Sequence, residues 1–232
     1  MDNKPKIQGY SAPFVGFCFF LSKPRLWFLP VLAMLFSWIV LFAIGVLVAY
    51  YAWPKTDVSW LYTSFKIFRA LGLAAFAAVF VWIIFFPIFL NICFEKLLKK
   101  VYLAKGDTFE PLSSYKALVS GFIIFKKTIL LRFFWILLCL VAAFIYGPLG
   151  MVASQIAIAH ISFIDGLDLS LSLKGLDANA RYALIKKYRV SLIVGGFIGG
   201  LVGFVFLPTL IVWLFWIPSL YIGACLFARE RV

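Results

Sequence analysis

The residue types best suited to binding an anion stand just before a long apolar stretch. Ser22, Lys23 and Arg25 flank Pro24, and residues 26–53 carry no formal charge. The amide groups at a helix N-terminus carry positive potential and, with a guanidinium and a hydroxyl, can bind an oxyanion. These three side chains are therefore candidate substrate-binding residues. The alternative is a basic flank that orients the first membrane helix.

Two carboxylates follow a second apolar stretch. Asp165 and Asp168 stand within the sequence Phe-Ile-Asp-Gly-Leu-Asp at 163–168. Acidic side chains at membrane depth are costly and call for a functional explanation, such as gating or proton coupling. The alternative is that they form a turn, or pair with Arg and Lys where the chain enters a basic connection.

The sequence offers little for enzyme chemistry. His160 is the only histidine, and no Ser or Cys stands in a nucleophile motif. A satisfied, partly buried His160 is favoured over a catalytic or proton-relay histidine. No catalytic residue, metal site or cofactor is expected. The four cysteines stand singly in apolar surroundings and are expected to be reduced packing residues: Cys18, Cys93, Cys139 and Cys225.

The composition is that of an integral membrane protein. Of 232 residues, 65% are hydrophobic and 13% are charged, and 22 Lys and Arg against 9 Asp and Glu give a net charge of +13. Charges are expected in the connections and not in the apolar runs. The excess of basic residues indicates contact with anionic lipid headgroups first and an anion pathway second. Nucleic-acid binding is not expected, because no basic cluster lies on a soluble module.

The elements that would position these residues form one membrane domain over 1–232. We predict an interfacial helix at 10–22 and transmembrane helices at 26–53 and 70–94, joined by a brief loop at 54–66. Two further apolar runs, 129–164 and 190–228, are each about twice the ~20 residues of one crossing and are broken by Pro and Gly.

Each broken run predicts a helical hairpin, with turns at Gly147-Pro148-Leu149-Gly150 and around Leu207-Pro208. The fragments 129–146 and 151–164 are short for a crossing. The fold class is therefore an all-α integral membrane protein with two long transmembrane helices, two partly or fully inserted helical hairpins and short interfacial helices.

Basic segments predict the topology. The segments 95–127 and 174–189 carry most of the Lys and Arg of the connections, which places them on the cytoplasmic side together with both termini. Asp177 is expected to cap a helix on the inner membrane surface. Its apolar face would carry Ala180, Leu184 and Tyr188, whereas Arg181 and Lys187 would be displaced from that face.

Closely spaced glycines follow in the last apolar run, at 195, 196, 199, 200 and 203. Gly199 belongs to two four-residue small spacings, which let helices approach closely. Tight packing within or between protomers is the favoured interpretation, and a gate hinge is the alternative.

Several stretches resemble the CysZ sulfate-permease family, whose members have a similar arrangement of helices and hairpins. The supporting sequences are Gly16-Phe17, Leu21-Ser22-Lys23-Pro24, Phe28-Leu29-Pro30, Pro87 to Asn91 with Glu95, Asp165 through Asp168, and Arg181-Tyr182-Ala183-Leu184.

The resemblance implies a homo-oligomeric sulfate channel or permease of the bacterial inner membrane, which supplies sulfur for cysteine synthesis. It also implies an oxyanion site of Gly-Leu-Arg type near the first long helix. This chain has Lys23-Pro24-Arg25-Leu26 there, with one arginine and no glycine. The alternative function is a non-catalytic membrane protein that organises lipid or protein partners.

Overall fold

The computed structural model describes residues 7–53, 60–84, 86–108, 114–206 and 210–231. Over these ranges the chain forms α-helices and one 3-10 turn, with no strand. Six of the described helices are long and apolar enough to cross a membrane. The chain is therefore an all-α, multi-pass membrane protein, as its composition predicts.

The first helices agree closely with the predicted bounds. Helix α1 spans Ala12–Leu21, a 3-10 turn spans Pro24–Leu26, and α2 spans Phe28–Ala52. Helix α1 packs against α9 (Leu210–Arg229). A Cβ added at Gly16 would lie 2.1 Å from the carbonyl oxygen of Ser219, so the two backbones are in direct contact. The position of α1 at the membrane surface stays a prediction.

The second predicted transmembrane helix, 70–94, falls on helical residues. The structure describes helix α3 over Trp60–Ile84 and helix α4 over Phe86–Ala104, with residue 85 between them outside the described residues. The single helix over 70–94 therefore stays a prediction. The helical residues reach back to Trp60, so Lys66 and Arg69 lie in α3. The first part of the predicted loop, 54–59, lies outside the described residues.

The next two helices meet at Tyr146, just before the predicted turn 147–150, which forms the first turn of the second helix, and both are longer than the predicted fragments. Helix α5 spans Ser114–Ile145 and α6 spans Gly147–Leu173, with Tyr146 between them. The 27 residues of α6 correspond to about 40 Å, more than a ~30 Å hydrocarbon core. Both helices are longer because the charged residues near their ends, which the sequence assigns to connections, are helical. How far the pair inserts stays a prediction.

Helix α7, Ala178–Lys187, begins as predicted and presents a different face. The Asp177 carboxylate accepts a hydrogen bond of 3.0 Å from the Ala180 amide, which confirms the predicted cap. The buried residues are Ala178, Arg181 and Ile185. The prediction that Arg181 is displaced from the packed face is therefore wrong, because its guanidinium has a buried carboxylate partner.

Helix α8, Arg189–Phe206, packs its glycines against α6. Added Cβ atoms would lie 2.5 Å from the His160 Cα at Gly196 and 2.3 Å from the Ile156 Cα at Gly200. The glycine face therefore makes a tight contact within the protomer. The predicted turn at Leu207-Pro208 lies outside the described residues.

Helix α6 is the centre of the molecule. From Gln155 to Leu173 nearly every residue is buried, and α4, α5, α7, α8 and α9 all pack against it. The polar residues of α6 therefore face other helices, and each must find its partner there.

Candidate functional site

Polar side chains occur along the length of α6, and their partners lie on four neighbouring helices, α4, α5, α7 and α9. The Trp213 indole of α9 donates a 2.8 Å hydrogen bond to Gln155, and the Tyr102 hydroxyl of α4 lies 2.6 Å from the Ser170 hydroxyl. The His160 Nδ1 accepts a 2.9 Å hydrogen bond from the Trp135 indole. An indole N–H can only donate, so a neutral His160 carries its proton on Nε2. This arrangement is the satisfied, buried histidine favoured by the sequence.

Asp165 forms a buried ion pair with Arg132 of α5. The Arg132 Nη2 lies 2.5 Å from the Asp165 Oδ1, and the two side chains are 3% and 6% exposed. The same guanidinium donates from Nε to the Thr128 hydroxyl at 3.4 Å and lies 5.0 Å from the centre of the Phe125 ring. Three kinds of contact thus hold the Arg132 guanidinium in place between α5 and α6.

Asp168 pairs with Arg181 of α7 in a similar way, one helical turn further along α6. The Arg181 Nη1 lies 2.9 Å from the Asp168 Oδ1, and it donates a 3.4 Å hydrogen bond to the Asp168 backbone oxygen. The Arg181 side chain is 1% exposed, yet its Nε and Nη2 have no hydrogen-bond partner within the described ranges. The Asp165 Oδ2 and the Asp168 Oδ1 likewise have no hydrogen-bond partner there, so the two ion pairs leave both donors and acceptors unpartnered.

Together these four side chains form a buried network with no net formal charge. Asp165 and Asp168 therefore pair with basic residues, as one of the sequence interpretations proposes. Both lie inside helix α6 and not in a turn. An ion pair removed from water loses solvation that its Coulomb attraction recovers only with good geometry. Its retention inside a membrane bundle therefore suggests a use beyond stability.

Sequence reasoning missed the basic half of this network. The expectation that charges avoid the apolar runs is wrong at Arg132, which stands inside the run 129–164. A lone cation in such a run was the available signal, because it requires a partner within the bundle. No comparable signal identified Arg181, since its neighbours in the sequence are those of a surface helix.

The candidate substrate-binding residues Ser22, Lys23 and Arg25, which we call the entrance residues, lie in and beside the 3-10 turn between α1 and α2. Several of the hydrogen-bond donors expected to bind an anion there already have partners within the protein. The Ser22 hydroxyl donates to the Phe19 carbonyl at 2.9 Å. The amides of Leu26 and Trp27 donate within the turn, at 2.9 and 3.0 Å. An anion here would therefore be bound by cationic side chains, with Arg25 exposed and adjacent to two recesses.

One of these recesses brings distant basic residues together. Arg25 lines it with Lys96 and Lys100 of α4, and the rest of its wall is mainly apolar. We call this the basic recess. Arg25 also lines the second recess, together with Ser22 and Lys23.

Further positive charge surrounds the ring of Phe19. The ammonium groups of Lys23 and Lys105 lie 5.2 and 5.1 Å from its centre. Each contact is a favourable cation–π interaction, but two like charges beside one ring repel each other. The end of α1 therefore has a positive potential suited to anions.

The described acidic side chains have contacts away from the basic recess. Asp107 pairs with Arg229, whose hydrogen bond lowers the pKa of the Asp107 carboxyl, so this residue stays ionised and engaged. The remaining contacts join Glu95 to Lys99, Asp165 to Arg132, Asp168 to Arg181, Asp177 to the Ala180 amide, and Glu230 to the Ile7 amide. Across the described ranges, no acidic side chain is found paired with Arg25, Lys96 or Lys100.

The structure does not join all the predicted site residues. Gly199 lies between α8 and α9, where its carbonyl accepts a 2.8 Å hydrogen bond from the Trp216 indole. Within the described ranges, the hydrogen bonds and ion pairs of Asp165 and Asp168 involve neither Gly199 nor Arg25. The entrance cations and the buried network are therefore separate features of one bundle.

Comparison with family models, curated proteins and solved structures found no match to this chain. The all-helical fold and the six long apolar helices among the described residues define the class, a multi-pass membrane protein. The resemblance to the CysZ family continues to rest on the sequence features alone.

Proposed function

We propose that this protein is an anion channel or permease of the CysZ type. Its substrate is sulfate or a related oxyanion, and it acts as a homo-oligomer in the bacterial inner membrane to supply sulfur for cysteine synthesis. The observation that carries the proposal is the buried network of Arg132, Asp165, Asp168 and Arg181, because fixed charges inside a membrane bundle are costly unless used.

The two arginines give the network its suitability for oxyanions. A guanidinium presents planar N–H groups that match the oxygens of a tetrahedral anion. The unpartnered Nε and Nη2 of Arg181 are such groups, held inside the bundle. The paired carboxylates keep the total charge near zero, so an anion would bind there without being trapped by a large excess of positive charge.

The entrance provides the first contact. Arg25 lies in the 3-10 turn that precedes α2, close in sequence to Lys23, which contacts the Phe19 ring together with Lys105. Electrostatic attraction concentrates anions at such a surface. Lys23 and Arg25 are the proposed recruiting residues. Ser22 shapes the turn, because its hydroxyl hydrogen is used by the Phe19 carbonyl.

Replacing Arg25 tests the entrance. Sulfate binding and sulfate uptake into liposomes should fall for Arg25→Ala and fall less for Arg25→Lys, since lysine keeps the charge and loses the planar fork. We expect an effect on the order of ten-fold for alanine, as for the loss of one exposed charged contact. Both variants are first checked for insertion and oligomer size.

Arg189→Ala is the matched control, because Arg189 is also exposed at a helix start but lies on α8, away from the recesses. If Arg25→Ala binds and transports sulfate as the parent does, Arg25 is a topology signal and the entrance site is abandoned.

A further inference from the structure

We propose that the basic recess binds the phosphate group of an anionic phospholipid of the inner leaflet. This site goes beyond the proposed transport function: it shares Arg25 with the entrance and adds Lys96 and Lys100 of α4, the two residues that the test below replaces. Its cations are Arg25, which precedes α2, and Lys96 and Lys100, which stand one turn apart on α4.

The charge of the recess favours an external anion. Three exposed cations line about 300 Å³ of space that is open to solvent, and the described carboxylates pair elsewhere. Glu95, the nearest acidic residue in the sequence of α4, is held by Lys99 at 2.6 Å. A phosphodiester is therefore the complementary ligand, since it carries one negative charge and several acceptor oxygens.

The wall of the recess distinguishes a lipid from a free ion. Besides its cations, it is formed by Leu26, Phe28, Leu29, Pro30 and Leu97. A small hydrated anion gains nothing from apolar walls, whereas the glycerol and first methylene groups of a phospholipid would pack against them.

An apolar track continues from the recess along α2. Phe28, Leu32 and Ile39 are 79%, 51% and 67% exposed and recur at helical spacing, so they share one outward face. An acyl chain attached to a phosphate in the recess would follow this face into the bilayer. The first residue of α2 is held next to α1, because the indole of the preceding residue, Trp27, donates a 2.7 Å hydrogen bond to the Phe20 carbonyl.

The recess lies at the depth of a phosphate group. The 25 residues of α2 extend about 37 Å, longer than the ~30 Å hydrocarbon core, so its ends reach the headgroup region. The predicted cytoplasmic side of segment 95–127 assigns the lipid to the inner leaflet.

The test measures lipid binding by native mass spectrometry of the purified full chain in neutral detergent. Palmitoyl-oleoyl phosphatidylglycerol is titrated against the parent, a Lys96→Gln/Lys100→Gln variant, and a Lys126→Gln/Lys186→Gln control. The control removes the same charge from exposed lysines outside the recess. We expect the first bound phosphatidylglycerol to weaken on the order of ten-fold in the recess variant and less than two-fold in the control.

Two further probes separate the sources of phosphate. Phosphatidylcholine should show no difference between the variants, and glycerol 3-phosphate, inorganic phosphate and sulfate should not displace phosphatidylglycerol at equal concentration. Equal affinity of the recess variant and the parent would overturn the proposal. Displacement by the soluble anions, dependent on Lys96 and Lys100, would also overturn it and assign the recess to free oxyanions. Because no flux is measured, failure here leaves the transport proposal standing, and the reverse also holds.

Discussion

Replacing Arg132 with methionine should destabilise the protein by about 3 to 5 kcal/mol, since the change leaves the buried Asp165 carboxylate without its ion-pair partner. Unfolding in detergent, followed by denaturant titration, would report the loss. Arg189→Met is the matched control, because Arg189 is exposed and its replacement should change stability by less than about 0.5 kcal/mol.

A double variant separates stability from function. Arg132→Met/Asp165→Leu removes both charges and fills the space with apolar atoms, so stability should return close to that of the parent. Two outcomes would contradict the stabilising role of the Arg132–Asp165 ion pair. One is a single variant as stable as the parent, and the other is a double variant no more stable than the single variant. A restored double variant can then be used to ask whether the charges are needed for transport.

The second large effect is expected at Gly200. A Cβ there would lie 2.3 Å from the Ile156 Cα and 2.7 Å from its nitrogen, so Gly200→Ala must push α8 away from α6. Overpacking of this kind costs about 1 to 3 kcal/mol, measured by the same unfolding titration.

Two other glycines serve as controls. A Cβ at Gly45 meets nothing within 4 Å, so Gly45→Ala should not lower stability. At Gly199 the nearest atom is the Leu220 Cδ2, at 3.0 Å, the end of a side chain that can move. Gly199→Ala should therefore cost less than Gly200→Ala. Equal losses at all three positions would show that the α6–α8 contact is not specifically tight.

The sequence predicts those features that depend on local or compositional signals. The long uncharged stretch gave the bounds of α2 to within about two residues, and Pro148 with its flanking glycines marked the break at Tyr146. Asp177 was identified as a helix cap because a cap depends only on the residues immediately around it.

The sequence does not predict features that depend on tertiary contacts. Arg181 belongs to the packed face of α7 because Asp168 lies across the turn at Gly175, where the backbone has a φ of 74°. Likewise, Lys96 and Lys100 join Arg25 only because α4 packs beside the start of α2. Propensity and charge counts contain no information on such pairings, which are set by how the helices assemble.

Uptake of labelled sulfate into sealed liposomes tests the central proposal most directly. The parent chain, shown to be folded and inserted, is compared with protein-free liposomes and with the Arg132→Met/Asp165→Leu variant at equal protein content. We predict uptake by the parent well above the protein-free level, and loss of that uptake in the folded double variant. Uptake by the inserted parent no greater than that of protein-free liposomes would contradict an anion-transport function for this protein.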